Sequence, residues 1–145
     1  MVEFFIVAIP ILFVVLVGGI LLLLLWGSGM RLDIEKDKTP LHTETAGGRI
    51  GWMRYRGPFI RLNIYDEFIV IRYSWKSIVL RYDEIERVET GKWLGLVTDR
   101  LQIVHHKPDA PSFIRIGASS PERVKAIIES KLAATGHAND EFQIN

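Results

Sequence analysis

The sequence has no cysteine in its 145 residues, which excludes a disulfide framework, a thiolate metal site and a cysteine nucleophile. Neither sign of charge is in excess: 18 Lys and Arg stand against 17 Asp and Glu, a formal net charge of +1. That balance removes the electrostatic case for a dedicated nucleic-acid binder, so no nucleic-acid partner is expected. Phosphate loops, dinucleotide fingerprints and Gly-x-Ser-x-Gly elbows are also missing. What the chain does have is apolar content, 48% of its residues, much of it in the first 26 positions.

From Phe4 to Trp26 no charged residue occurs. As a helix this run is roughly 34 Å long, against a hydrocarbon core of about 30 Å, and the sequence therefore predicts a transmembrane anchor over residues 1–30. Phe4 and Phe5 open it, Pro10 lies within two turns of its start, and Trp26 suits an interface. Gly18 and Gly19 offer close approach to another helix, although no G-x-x-x-G spacing is present. A cleavable signal peptide fits less well, because no Lys or Arg precedes the apolar run and the run is too long. Arg31, Lys36 and Lys38 follow the run directly. The positive-inside rule then puts the amino terminus outside and the remaining domain in the cytoplasm, at the inner (plasma) membrane.

Residues 31–48 read as a linker of mixed charge containing Pro40 and ending in Ala46-Gly47-Gly48. Beyond it the apolar period is two. Strands are expected at Arg49–Tyr55, Phe59–Tyr65, Phe68–Tyr73, Ser77–Tyr82, about Ile85–Thr90, Leu101–His106 and Ser112–Ile116. Arg56-Gly57-Pro58, Asp66-Glu67 and Ser74-Trp75-Lys76 are read as turns. Ser120 and Pro121 are a helix start, Val124, Ile127, Ile128 and Leu132 form its apolar stripe, and Gly136 marks its end. Residues 137–145 read as a polar tail, which leaves 49–136 as one domain. The expected architecture is a mainly-β fold: a bent seven-stranded antiparallel sheet, or partly open barrel, capped by a carboxy-terminal α-helix.

The strands from Phe59 to Tyr73, the stretch Ile78-Val79-Leu80-Arg81-Tyr82-Asp83-Glu84-Ile85 and the helix opening Ser120-Pro121-Glu122-Arg123 resemble the bacterial pleckstrin-homology-like (PH-like) domains. In that family a strand runs into a Tyr-Asp-x-Ile turn and the helix closes the barrel. The resemblance covers roughly Arg49–Leu132. It implies binding or assembly rather than chemistry, and its members often sit beside membrane helices.

No constellation of residues supports catalysis. His105 and His106 are neighbours on a strand, so their rings point to opposite faces, and no zinc ligand set is spaced around them. Asp83, Glu84 and Glu86 sit at a turn, where Asp83 is expected to cap the backbone. No cofactor, metal or catalytic residue is therefore expected. Charge is nonetheless uneven: Arg49 to Arg81 carries seven bases against Asp66 and Glu67, while Tyr82 to Asp99 is acidic. Arg54, Arg56 and Arg61 bracket the first hairpin, where lipid-binding relatives of the fold place phosphate-binding bases. Trp75 at a hairpin tip and Trp93 in a glycine-flanked loop are candidate exposed contacts, whereas Trp52 reads as core.

These features together predict a non-catalytic interaction module, an accessory subunit that stabilises a larger integral membrane complex. The alternatives are recognition of anionic lipid headgroups through the basic hairpin, and homo-oligomerisation through exposed strand edges.

Overall fold

The computed structural model describes residues 2–27, 31–93 and 97–141, with side chains for residues 9–22, 31–92 and 99–136. Helix α1 (Val2–Gly27) is followed by a 3-10 turn at Asp33–Glu35. The strands are β1 (His42–Ile50), β2 (Met53–Ile64), β3 (Phe68–Tyr73), β4 (Lys76–Arg81), β5 (Ile85–Trp93), β6 (Val97–His105) and β7 (Ile114–Gly117). Helix α2 (Pro121–Glu141) comes last.

The strands form one antiparallel sheet in the order β4-β3-β2-β1-β7-β6-β5. Its two edge strands, β4 and β5, are consecutive in the chain and are joined only by the 3-10 turn Tyr82–Glu84. A link that short brings the edges together, so the sheet has to curl on itself. The inner face is the one that the alternation of apolar residues marks: Ile60, Leu62 and Ile64 of β2, Ile69 and Ile71 of β3, Leu101 and Ile103 of β6, and Ile114 and Ile116 of β7 are all buried. Helix α2 packs on β5, β6 and the 82–84 turn. It adds fully buried Val124 and Ile128 to that core, with Ile127 and Leu132 at its margin. Each of the two buried side chains contributes about 1.5–3 kcal/mol by leaving water.

Tyr82, the first residue of the Tyr-Asp-x-Ile turn, is buried and donates its hydroxyl to the Tyr65 carbonyl at 2.6 Å. Burial, and then the charge of Asp66, push its phenol pKa upward. The turn is capped by Glu84 rather than Asp83. The Glu84 carboxylate accepts the Arg81 N–H at 2.9 Å and pairs with Lys107 at 2.9 Å, which is why it, and not its neighbour, closes the turn.

The membrane anchor requires correction, and with it the placement of the protein as a single-pass chain of the inner membrane. Among the described residues no helix is long and apolar enough to cross a membrane. Of the residues assigned to the anchor, Pro10 is exposed within α1, and a Cβ at Gly18 or Gly19 would meet nothing within 4 Å among the described residues beyond the helix's own backbone. Phe4, Phe5 and Trp26 have side chains outside the described residues.

Several strand boundaries also move. The stretch read as a linker supplies the turn at Asp33–Glu35 and most of β1, so the first strand is His42–Ile50 and not Arg49–Tyr55. The turn expected at Arg56-Gly57-Pro58 is instead a bulge within the continuous β2. The register jumps from Ala46↔Ile60 to Gly48↔Tyr55, and Gly57 takes φ 62, which glycine adopts without strain. The true turn is Gly51-Trp52 between Ile50 and Met53, with Gly51 at φ 60. A glycine at the first central position of a two-residue hairpin matches the twist of the flanking strands. Trp52 is then pushed outward, and it is 85% exposed rather than part of the core. At the other end α2 runs through Gly136 to Glu141, because this glycine keeps a helical backbone and has no close neighbours.

β1 is tied to the start of α2 by a buried carboxylate. Glu44 accepts the Ser119 hydroxyl at 2.7 Å and also the Ser119 N–H, with His42 Nε2 at 3.2 Å. Burial pushes its pKa up, but the Ser119 hydroxyl and N–H and then His42 outweigh that and hold it below 4.5. The linkage follows directly. A lowered folded pKa gives stability that is present above 4.5 and lost as pH falls through the folded value. Thermal melts from neutral pH down to about pH 3 are expected to show a steep acid loss, and Ser119→Ala to flatten it.

Candidate functional site

Period-two alternation that points isoleucines inward must point their neighbours outward. On β1 this turns exposed Arg49 outward beside Ile50; on β7, half-buried Arg115 between Ile114 and Ile116; on β6, half-buried Arg100 beside Leu101; on β2, exposed Arg54 and Arg56 around half-buried Tyr55. The register brings these positions together. Arg54 stands opposite Arg49, and Arg49 opposite Arg115, so three arginines form one row across β2, β1 and β7. Arg100 lies on the adjacent row, opposite Gly117.

The result is an open groove of about 640 Å³ walled by Arg49, Arg54, Arg56, Arg100 and Arg115, with Trp52 at its rim. Its floor is Gly47, Gly48, Gly57 and Gly117. At Gly48 no side chain fits, since a Cβ would overlap the Arg115 carbonyl oxygen and lie 3.0 Å from Ile116 Cα.

Two of the arginines are held in place by aromatic contact rather than by ion pairs. The guanidiniums of Arg49 and Arg115 lie 5.4 Å and 4.9 Å from the centroid of Phe113. Arg49 Nε donates to the Gly51 carbonyl at 3.2 Å, and Arg115 donates to Gln102 at 2.8 Å. Asp99, the one acidic residue in the lining, pairs with Arg100 at 3.5 Å. Among the described residues Arg49, Arg54, Arg56 and Arg115 have no carboxylate partner. Like charges directly opposite one another in a sheet are destabilising. This row therefore costs the fold stability and leaves positive charge free for something outside it.

Of the residues singled out in the sequence, Arg54 and Arg56 line this groove and Arg61 does not. Arg61 is half-buried opposite Arg72 of β3. Trp75 is 70% exposed at the β3–β4 turn, apart from the groove lining. The Trp93 side chain lies outside the described residues. Sequence reasoning missed Arg49, Arg100, Arg115 and Trp52. The outward positions of the three arginines were legible from alternation, but the β1–β7 pairing that gathers them was not, and Trp52 was read as core. His105, the last residue of β6, bonds the Pro111 carbonyl at 2.9 Å, and His106 lies past the end of the strand and is exposed.

No family model and no curated protein matches the sequence. Among solved structures, the C-terminal domain of an unknown protein from Leishmania infantum is similar in fold. It is 12% identical with a TM-score of 0.53, and the match covers 68% of this chain and 87% of that one. The Vps36 N-terminal PH domain is similar at 17% identity and a TM-score of 0.52, covering 74% of this chain and 88% of that one. At such identities the likeness is one of fold, and the curled sheet closed by α2 is a PH-like fold.

Proposed function

We propose that the chain is a non-catalytic interaction module that assembles with a larger protein partner through the outer face of β2, β1, β7 and β6. The observation that carries this reading is the row Arg54–Arg49–Arg115, three cations placed opposite one another without carboxylates to neutralise them. Arginine and tryptophan dominate the energetics of protein contacts, and Trp52 stands beside the row. The contiguous apolar surface of α1, exposed from Ile9 to Leu22, supports the same reading, since such patches mark interaction surfaces.

The test is gentle extraction of the full chain from its source cells, followed by native mass analysis. The wild-type chain is expected to travel with other protein, and an Arg49→Glu/Arg54→Glu/Arg115→Glu variant to travel without it. A wild-type chain that travels alone overturns the proposal. A second reading, anionic lipid headgroups in the same groove, draws support from its concavity and positive charge. It predicts binding to acidic vesicles that the same triple variant abolishes.

A further inference from the structure

The outer face combines two kinds of side chain. Guanidiniums without carboxylate partners line the groove, and Trp52, which also lines it, is 85% exposed. We infer that the groove takes a carboxylate-rich segment of a partner protein, with an apolar side chain of that segment seated beside Trp52. This rests on the proposed reading of the chain as an interaction module and names the chemistry of its partner.

Charge complementarity is the first argument: five arginines line the groove, and its one carboxylate, Asp99, is already engaged by Arg100. Spacing is the second. Neighbouring strands lie about 4.8 Å apart, so the row from Arg54 through Arg49 to Arg115 extends about 10 Å. A single small anion spans only part of that distance. Carboxylates on one side of an extended segment are about 6.7 Å apart, and those three or four residues apart on a helix about 5–6 Å, both within reach of flexible arginine side chains.

Composition is the third. Protein contacts are enriched in Arg, Trp, Tyr and Met and depleted in Lys, and no lysine lines this groove. Phe113 already holds Arg49 and Arg115, which lowers the ordering cost of binding. The β5 strand of a second copy is a poorer occupant. The acidic residues of its β5, Glu86 and Glu89, are both engaged by Arg87, at 3.8 Å and 2.6 Å.

The experiment titrates the full chain by calorimetry with three probes: an oligoglutamate peptide carrying one leucine, inorganic pyrophosphate, and vesicles of phosphatidylglycerol. The peptide is expected to bind, to weaken about tenfold or more in Arg49→Gln/Arg115→Gln, and to bind Lys76→Gln as it binds the wild type. Trp52→Ala is expected to weaken the leucine-bearing peptide more than a peptide of glutamate alone. The melting temperature of the double variant, expected to be no lower than wild type, shows that it folds. Peptide binding that is absent, or indifferent to the two arginines, overturns the inference. If pyrophosphate or vesicles then bind through those arginines, the contact face stands and only the partner chemistry falls; if no probe responds to them, both fall.

Discussion

Glu35→Ala is expected to destabilise the chain by about 3–5 kcal/mol, read as a lowered melting temperature or denaturation midpoint. Glu35 is fully buried and is the hub of a polar node. It pairs with Arg72, accepts the Tyr65 hydroxyl at 2.7 Å and the Asn63 amide at 3.3 Å, and accepts the Leu32 N–H at 2.8 Å. Arg72 is itself only 2% exposed, so deleting the carboxylate leaves an uncompensated charge in the interior. The node has little slack, because Arg72 Nε and Asn63 Oδ1 are buried without a hydrogen-bond partner among the described residues. Replacing both partners, Glu35→Leu with Arg72→Met, is expected to recover most of the loss, since a buried pair can be exchanged for apolar groups at little net cost.

Tyr65 provides a second readout. Burial first, and then its hydrogen bond to Glu35, push its phenol from 10 up to about 12. A raised folded pKa gives stability that is complete below 10 and lost as pH rises through about 12. Removing Glu35 takes away one of the two leading causes, so the tyrosine titration is expected to move down in the variant.

Gly48→Val is expected to cost roughly 3 kcal/mol or more, the upper range for overpacking, because the new side chain meets backbone rather than a mobile side chain. Its Cβ would overlap the Arg115 carbonyl oxygen at the point where β1 joins β7. That pairing connects the two halves of the sheet, β4-β3-β2-β1 and β7-β6-β5. The effect is therefore expected to be cooperative. Hydrogen exchange should lose protection in both halves together, and a loss confined to β1 would show that the halves fold independently.

The inner face of the sheet was legible in the sequence because alternation needs only neighbouring residues. Ile60, Leu62, Ile64, Ile69 and Ile71 are buried where the period of two put them, and Val124 and Ile128 where the helical stripe put them. Pairing between distant segments was not legible. Nothing local to Arg115 says that it faces Arg49, so half of the groove was invisible. Glu35 shows the same limit, for it lay in a stretch of mixed charge that looked solvated, and its partner Arg72 lies two strands away. Trp52 was misplaced for a different reason: Gly51 makes the hairpin tip, and it lies six residues before the Gly57 that looked like it. Arg61 was grouped with Arg54 and Arg56 by proximity in sequence, but the β2 bulge separates them, and Arg61 sits between Thr45 of β1 and Arg72 of β3.

The arginine row sets what selection for robustness alone would do to this protein. Because Arg49, Arg54 and Arg115 repel one another in the folded chain and are further apart when it unfolds, a screen that rewards only heat resistance should replace them early. Such thermostable descendants would keep the curled sheet while losing what the groove recognises.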